Sequence, residues 1–251
     1  MIRPLATLLM LFGSSANFGS DTPSFSGSAM RSPNHFNVQA GAPADVQIVC
    51  TGSSPQIRFT ADQSKPWPGD LGKKKGRAEY QSRQKLTFNH LYSLSYEVNV
   101  SVFDSSAVDH LVIGQFHQTS DPGDYEGFPA TEIAIEADNL TVYTAGDSNP
   151  VTSKPYPQVL RAKVPGFGLG QWHKIKIMEK FSYSGSGFLS VVLDGSTIYS
   201  GSNILNSFND QFGPYWKFGS YFRGRKNFAK ATVSYRNMKF SDVAGQPTLC
   251  R

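Results

Sequence analysis

The segment Tyr215-Trp216-Lys217-Phe218-Gly219-Ser220-Tyr221-Phe222-Arg223 alternates polar and apolar side chains along its length. Successive side chains of a β-strand point to opposite faces, so this alternation predicts a strand with one buried face. The core face would carry Trp216 and Phe218. The opposite face would carry a row of phenols and positive charges, formed by Tyr215, Lys217, Tyr221 and Arg223.

Two other segments repeat this arrangement. Arg77-Ala78-Glu79-Tyr80-Gln81-Ser82-Arg83 places Arg77, Glu79, Gln81 and Arg83 on one strand face, and Gln115-Phe116-His117 places Gln115 and His117 on another. Together the three rows offer an amide, an imidazole, phenols and guanidinium groups. These groups can bind an acidic sugar and remove a proton from it, so the rows predict a functional face.

The remainder of the chain indicates an all-β fold. Short alternating or apolar runs are separated by turn residues, and Asp194-Gly195 between two apolar runs predicts a two-residue hairpin. This pattern predicts an antiparallel two-sheet β-sandwich or jelly roll with a concave substrate groove. The predicted strands are Val46–Thr51, Gln56–Thr60, Arg77–Arg83, Leu91–Phe103, Leu111–Phe116, Glu132–Ala137, Leu140–Ala145, Trp172–Phe181, Gly187–Leu193, Ser196–Ser200, Tyr215–Phe222 and Ala231–Phe240.

Composition is that of a globular domain with a basic surface. Hydrophobic residues make up 39% and charged residues 17% of the 251 residues, which excludes a disordered chain and a coiled coil. The formal net charge of +5 suits an anionic polymer, and the 13% of aromatic residues suits both strands and sugar binding. We expect a monomer with no nucleic-acid or membrane partner.

The N-terminus resembles a secretory signal peptide. A basic start is followed by an apolar run and small residues, and the run is shorter than the roughly 20 residues that span a bilayer. We therefore expect a signal peptide over residues 1–20, a loosely ordered lead-in over 21–45, one domain over 46–251, and a secreted or periplasmic protein. Cys50 and Cys250 lie near the two ends of this domain, so either a disulfide or two free thiols fits the sequence.

The three segments resemble the signatures of concanavalin-like polysaccharide lyases, a group that includes alginate lyases, glucuronan lyases and the heparin lyase I type. Gln115-Phe116-His117 is similar to the Gln-Ile/Phe-His element, and Tyr215–Tyr221 is similar to Tyr-Phe-Lys-Ala-Gly-x-Tyr. Arg77-Ala78-Glu79-Tyr80 matches the Arg-Ser/Thr-Glu-Leu-Arg element only in part, because Gln81 stands at its last position. Arg223 after Tyr221 is closer to the glucuronan and heparin branch than to alginate lyases.

The resemblance implies β-elimination from a uronate polymer. Removal of the C5 proton requires the sugar carboxylate to be neutralised, a role that suits Gln115 and Arg77. His117 or Tyr221 would remove the proton, and Tyr221 would protonate the departing O4, with Lys217 favouring its phenolate. The remaining residues of the rows would bind substrate: Glu79, Gln81, Arg83, Tyr215, Lys217 and Arg223.

The sequence also has to be compared with two other classes of function. A non-catalytic lectin module on the same sandwich would bind the polymer without needing an acid and a base, and a glycoside hydrolase would need two carboxylates that no motif supplies. Among lyases, glucuronan is favoured as substrate because of Arg223 and Phe116, with alginate as the second candidate. We predict no cofactor and no metal site; calcium stays open only because Asp104, Asp109, Asp121 and Asp124 are close in sequence.

Overall fold

The computed structural model describes residues 35–50, 55–125, 129–224 and 229–240. These residues form two seven-stranded antiparallel sheets and contain no α-helix, which confirms the predicted β-sandwich. The strands are β1 (Phe36–Ala40), β2 (Val46–Val49), β3 (Gln56–Asp62), β4 (Lys75–Ser82), β5 (Leu91–Phe103), β6 (Val108–His117), β7 (Thr131–Glu136), β8 (Asn139–Thr144), β9 (Val159–Val164), β10 (Trp172–Lys180), β11 (Gly187–Leu193), β12 (Ser196–Ile204), β13 (Tyr215–Gly224) and β14 (Lys230–Phe240).

Strand order places the three conspicuous segments side by side. The first sheet has the order β1-β4-β13-β6-β7-β8-β9, and the second has the order β12-β11-β10-β5-β14-β3-β2. β13 therefore lies between β4 and β6, although long segments of the chain separate it from both. The rows that the sequence predicted separately belong to one continuous surface.

The core between the sheets is rich in aromatic rings. Phe59 of the second sheet packs edge-on against Tyr80 and Phe218 of the first, and Tyr235 packs edge-on against Phe218, with ring centroids 5.2 to 5.5 Å apart. Rings in this geometry attract each other beyond the effect of burying their area. The core residues of β4 and β13 thereby fix the faces that their alternate residues present on the outside.

All twelve predicted strands are present, with ends shifted by a few residues at most. The hairpin at Asp194-Gly195 is also confirmed, and both residues have the positive φ that its turn requires (49° and 87°). Two strands, β1 and β9, had no counterpart in the prediction. β1 lies inside the segment predicted to be a loosely ordered lead-in, yet it pairs along its whole length with β4.

Some sequence predictions fall outside the described residues. Among these are the signal peptide over residues 1–20 and Cys250, whose pairing with Cys50 the sequence left open. Within the described part of the chain, no helix is long and apolar enough to cross a membrane.

Candidate active site

Cross-strand pairing brings the predicted residues together on the outer face of the first sheet, which we call the site face. Tyr215 pairs with His117, Lys217 pairs with both Gln81 and Gln115, and Tyr221 pairs with Arg77. The intervening residues Trp216 and Phe218 are buried in the core, as the alternation predicted. The site face is thus built from three strands held in a fixed register.

The carboxylate of Glu79 is the centre of this arrangement. It accepts hydrogen bonds from Nε2 of Gln115 at 2.8 Å and from the guanidinium of Arg77 at 2.6 Å, and Nζ of Lys217 lies 2.9 Å away. Burial alone would raise the pKa of Glu79, but the positive charges of Lys217 and Arg77 outweigh it and lower that pKa. An ionised Glu79 therefore holds three donors from three strands in one cluster.

A second buried carboxylate, Asp70, fixes Arg77 from the other side. Its Oδ2 lies 2.5 Å from Nε of Arg77, and its Oδ1 lies 3.8 Å from Nζ of Lys75. Asp70 belongs to the loop that enters β4 and is only 3% exposed. The cluster has three positive and two negative charges in total, so one positive charge is left for an anionic ligand.

His117 and Tyr215 form one end of the site. Their rings stack with centroids 5.4 Å apart, and the Tyr215 hydroxyl lies 3.3 Å from Nδ1 of His117. Nδ1 also lies 3.0 Å from the backbone oxygen of Gln118. A hydrogen bond to this oxygen requires the ring hydrogen to be on Nδ1, and Nε2 of the neutral ring is then free to accept a proton. Burial, together with the charge of Lys217, lowers the pKa of His117 to about 4, so the ring is neutral at neutral pH.

Tyr221 forms the other end. The guanidinium carbon of Arg77 lies 4.1 Å from the centroid of its ring, and Nζ of Lys75 lies 5.6 Å from it. The expectation that Lys217 favours the Tyr221 phenolate is not met by the geometry, because the amine of Lys217 is directed to Glu79. Arg77 and Lys75 are the cations placed over this phenol.

The remaining predicted residues lie at the margins. Gln81 is half-buried and accepts a hydrogen bond from Gln39 of β1 at 2.8 Å, whereas Arg83 lies just beyond β4, is exposed, and donates to Asn37. Arg223 is exposed at the end of β13. Glu79 and Lys217 are the exceptions among the predicted substrate-binding residues: they are buried, at 1% and 4% exposure, and contact each other.

The backbone beneath the site is irregular. The pairing of β13 with β6 shifts by one residue between Phe218 and Tyr221, where Gly219 has a φ of 145°. The buried hydroxyl of Tyr235 in the second sheet donates to the carbonyl oxygens of Gly219, 2.8 Å away, and Ile113. Such bulges redirect side chains, and this one separates the Lys217 end of β13 from the Tyr221 end.

A second polar cluster on the site face was not identified from the sequence. His110 of β6 lies between Glu132 and Glu136 of β7, at 2.7 and 2.8 Å, and Tyr143 of β8 donates to Glu136. Burial would lower the pKa of His110, but the two carboxylates raise it to about 9. The alternation Glu132-Ile133-Ala134-Ile135-Glu136 indicates that the two glutamates share a strand face, but it does not reveal which strand lies beside β7.

Lys85 was also not identified from the sequence. Its Nζ lies 3.7 Å from the Tyr215 ring centroid.

The aspartates considered for calcium separate into two groups. Asp121 and Asp124 lie together with Asp210, and ligand oxygens of all three fall within 4.8 Å of one another. Asp104 and Asp109 do not belong to this group. The third member, Asp210, comes from the segment before β13 and could not be assigned from sequence distance.

Comparison with known proteins identifies the family. The family described as polysaccharide lyase matches residues 24–237, which is most of the chain. The chain belongs to the polysaccharide lyase family. The sequence has no significant match among curated proteins.

Three solved structures similar to this lyase are a glucuronan lyase and two alginate lyases. The endo-β-1,4-glucuronan lyase of the fungus Trichoderma reesei superposes with a TM-score of 0.63 at 17% identity, over 78% of this chain and 85% of that one. The family 7 alginate lyase A1-II′ in complex with product gives 0.61 at 12% identity, over 82% and 94%. The alginate lyase PA1167 of Pseudomonas aeruginosa gives 0.56 at 16% identity, over 82% and 97%. At these identities the likeness concerns the fold.

Proposed function

We propose that this polysaccharide lyase is an exported, endo-acting enzyme that cleaves a β-1,4-linked glucuronate polymer by β-elimination. The observation that carries the proposal is the cluster of Gln115, Arg77 and Lys217 around Glu79, set between His117 and Tyr221 on one face. The signal-peptide-like N-terminus supports export, since a polymer substrate is met outside the cell.

The cluster supplies what the first step of the reaction requires. The C5 hydrogen of a uronate becomes acidic only when charge on its carboxylate is neutralised as the enolate-like intermediate forms. Donors that are already oriented stabilise such charge without reorganising, which is why they lower a barrier efficiently. Gln115 and Arg77 would bind the carboxylate, and the net positive charge of the cluster would favour its negative charge.

His117 and Tyr221, at the two ends of the site, would carry out the proton transfers. Nε2 of His117, or the phenolate oxygen of Tyr221, would take the C5 proton. The electron pair of the broken C5–H bond would form the C4–C5 double bond as the C4–O4 bond breaks. The Tyr221 hydroxyl would then donate its proton to O4. One product keeps the former O4 oxygen as a hydroxyl at its new chain end, and the other product begins with an unsaturated uronate. A neutral His117 suits this role because only the neutral ring can accept a proton.

Glu79 would act as a positioning residue in this scheme. Its two oxygens hold Gln115, Arg77 and Lys217, so they face these donors rather than the polymer. Removing its charge would leave the buried amine of Lys217 without this partner and Arg77 with Asp70 alone, which is a costly arrangement. The partly matched Arg-x-Glu element would therefore serve to assemble the donor cluster.

Glucuronan is proposed as substrate, with alginate as the second candidate. The exposed Arg223 supports glucuronan, because it follows Tyr221 on the site face and adds a positive charge there. Phe116 gives no such support, since it is buried in the core at 2% exposure.

A substrate panel tests the proposal. Purified protein is incubated with glucuronan, alginate and a heparin-type polymer while the ultraviolet absorbance of unsaturated uronate ends is followed. We expect the fastest rise on glucuronan, with viscosity falling early because an endo-acting enzyme cuts inside chains. The His117→Ala variant, purified in the same way, controls for contaminating lyases.

The alternatives predict different results. A faster rise on alginate would transfer the assignment to that polymer. Binding of the polymers without any absorbance change would favour the lectin-type module instead. Absence of both binding and absorbance change on all three polymers would contradict the proposal.

A further inference from the structure

The second sheet carries positive charges on its outer face, which lies on the opposite side of the sandwich from the site face. Ile175 and Ile177 of β10 are buried in the core, so the alternate residues Lys174 and Lys176 point outwards, and both are exposed. β10 and β14 lie on either side of β5 and supply most of these charges. We call this surface the basic face, and its cations are Arg58, Lys174, Lys176, Arg236 and Lys239.

Strand pairing arranges four of these cations in two rows across β5. Each row has one residue of β10, one of β5 and one of β14: Lys174, Glu97 and Arg236 in the first, and Lys176, Ser95 and Lys239 in the second. Neighbouring strands lie about 4.8 Å apart, so each row spans about 10 Å between its outer backbones. The cations are therefore held in a fixed pattern by the register of the sheet.

Most of this positive charge is uncompensated. Glu97 forms an ion pair with Arg236 at 2.6 Å, and within the described part of the chain the other four cations of the basic face form no ion pair. The nearby carboxylate of Asp194 contacts His173 and the backbone N–H of Lys174. Five positive charges and one negative charge leave a net charge of +4 on the basic face, compared with +5 for the whole chain.

An aromatic ring lies on the same face. Trp172 is half-buried and precedes Lys174 on the outward side of β10, and the guanidinium carbon of Arg236 lies 4.1 Å from the centroid of one of its rings. Aromatic rings offer a flat apolar surface, and lysine and arginine bind carboxylates. A polymer of acidic sugars presents both apolar ring faces and carboxylates, so its chemistry complements that of the basic face.

We propose that the basic face is a second binding surface for anionic polysaccharide, separate from the site face. This inference rests on the proposed function, because its ligand is the polymer that the enzyme cleaves. The two surfaces lie on opposite sides of the sandwich, so a polymer segment on the basic face leaves the site face free for another segment. Binding at two surfaces raises the effective concentration of substrate at the site.

Polymer binding by matched variants tests the proposal. Lys174→Gln/Lys176→Gln removes two charges from the basic face, and Lys65→Gln/Lys154→Gln removes two charges from exposed loops elsewhere. Both double variants and their parent carry Tyr221→Phe, so that the polymer is not cut during the measurement. Dissociation constants are measured by electrophoresis through gels that contain the polymer that the wild type cleaves fastest.

The two double variants should differ in affinity. We expect Lys174→Gln/Lys176→Gln to bind about 2- to 30-fold more weakly than the parent, the effect of losing two exposed ion pairs, and the loop variant to bind like the parent. The difference should shrink at high salt, because exposed charges are screened. Arg58→Gln/Lys239→Gln, on β3 and β14, provides an independent second test.

Activity measurements with Tyr221 intact separate the basic face from the site face. A tetrasaccharide substrate is too short to reach both sides of the sandwich, so Lys174→Gln/Lys176→Gln should cleave it with the kcat/KM of the wild type. On the polymer at low concentration, the same variant should have a lower kcat/KM.

Several outcomes would overturn the proposal. Unchanged polymer binding in both variants of the basic face would do so, and cleavage of the polymer by the wild type would then leave the proposed function intact. Equal weakening in the loop variant would indicate a general effect of net charge, and equal loss of kcat/KM on tetrasaccharide and polymer would indicate damage to the site face. A wild-type dimer that dissociates in Lys174→Gln/Lys176→Gln during sedimentation would assign the face to a second copy of the chain. A wild type that neither binds nor cleaves any acidic polymer would contradict the proposed function as well.

Discussion

His117 differs from an ordinary surface histidine because burial and the charge of Lys217 lower its pKa to about 4. An exposed histidine titrates near pH 6.5, which would remove a neutral base from half of the molecules at that pH. His117 should stay neutral well below this value. The pH profile of the free enzyme can therefore distinguish the two environments.

We expect kcat/KM to show no loss centred near pH 6.5 and to stay nearly level from pH 7 down to about 5, because kcat/KM reports ionisations of the free enzyme. His117→Ala should lower turnover by about 10²–10⁴-fold, the usual contribution of an acid–base group. His173→Ala, on the second sheet, serves as the control and should keep its activity. An acidic limb near 6.5 that disappears in His117→Ala would show that this ring is not shielded as described.

The two tyrosines of β13 offer a sharper test. Tyr215 lies against His117, whereas Tyr221 lies under Arg77, so each phenol occupies a different end of the site. Tyr221→Phe should lower kcat strongly and leave polymer binding nearly unchanged, because only the proton for O4 is lost. Tyr215→Phe should be milder, and both should melt close to the wild type. The kcat of both variants is measured on the polymer that the wild type cleaves fastest. A larger loss of kcat in Tyr215→Phe than in Tyr221→Phe would assign the acid to the His117 end.

At this scale the sequence predicted which side chains share a face but not which contact one another. Alternation placed Glu79 in the same row as Arg77, yet only the register of β4, β13 and β6 shows three donors converging on it. Asp70 and Lys85 lie outside strict alternation, in segments that no periodic pattern describes. Their contacts depend on the path of the chain between strands.

At the scale of elements, the bulge in β13 requires glycine. A side chain at Gly219 would combine a φ of 145° with a Cβ that meets the carbonyl oxygen of Ala78 and lies 2.7 Å from Cα of Glu79. Both atoms belong to the backbone of β4, which cannot move without shifting the donor cluster. Gly195, in the hairpin between β11 and β12, also has a positive φ but has no atom within 4 Å of such a Cβ.

Gly219→Ala should therefore cost more than Gly195→Ala. The hairpin variant should lose about 1–2 kcal/mol from its unfavourable φ alone. The bulge variant should lose a further 1–3 kcal/mol through overpacking, and much of its activity, because Lys217 and Glu79 lie beside the contact. Urea denaturation of both variants measures the difference. Equal losses would mean that β4 can move away from the bulge at no cost.

Strand prediction succeeded wherever a strand has neighbours on both sides, because burial on one face imposes strict alternation. The two missed strands, β1 and β9, are both edge strands of the first sheet. Neither contains a fully buried residue, so their sequences carry a weak pattern. Pairing with β4 or β8, which the local sequence does not encode, stabilises them as strands.

At the scale of the whole molecule, one acid lies in the interior between the sheets. Glu179 of β10 accepts hydrogen bonds from Thr131 of β7 and from Asn206, and its other oxygen has no partner among the described residues. Burial raises the pKa of Glu179 to about 8. In the unfolded chain the same group ionises near 4.5, so between these values ionisation favours the unfolded state.

The free energy of unfolding should therefore fall as the pH rises from about 4.5 to 8. Glu179 contributes about 1.4 kcal/mol per pH unit to this fall, as long as it is protonated in the folded state and ionised in the unfolded state. Glu179→Gln cannot ionise, and its decline over this range should be smaller by a few kcal/mol. Glu97→Gln is the control: the pKa of Glu97 is lowered by its bonds to Asn237 and Arg236, so its curve should run parallel to the wild type above pH 5. Denaturant titrations at several pH values test this, and parallel curves for all three proteins would contradict it.

The central position of β13 has a consequence for synthesis of the chain on the ribosome. β4 and β6 emerge early, but each has an inner edge that stays unpaired until residues 215–224 leave the exit tunnel. Exposed strand edges pair readily with other chains, and contacts between distant residues form slowly. A nascent chain of this lyase therefore presents two unpaired strand edges to other chains during this interval. Truncated chains that end before β13 should accumulate as aggregates.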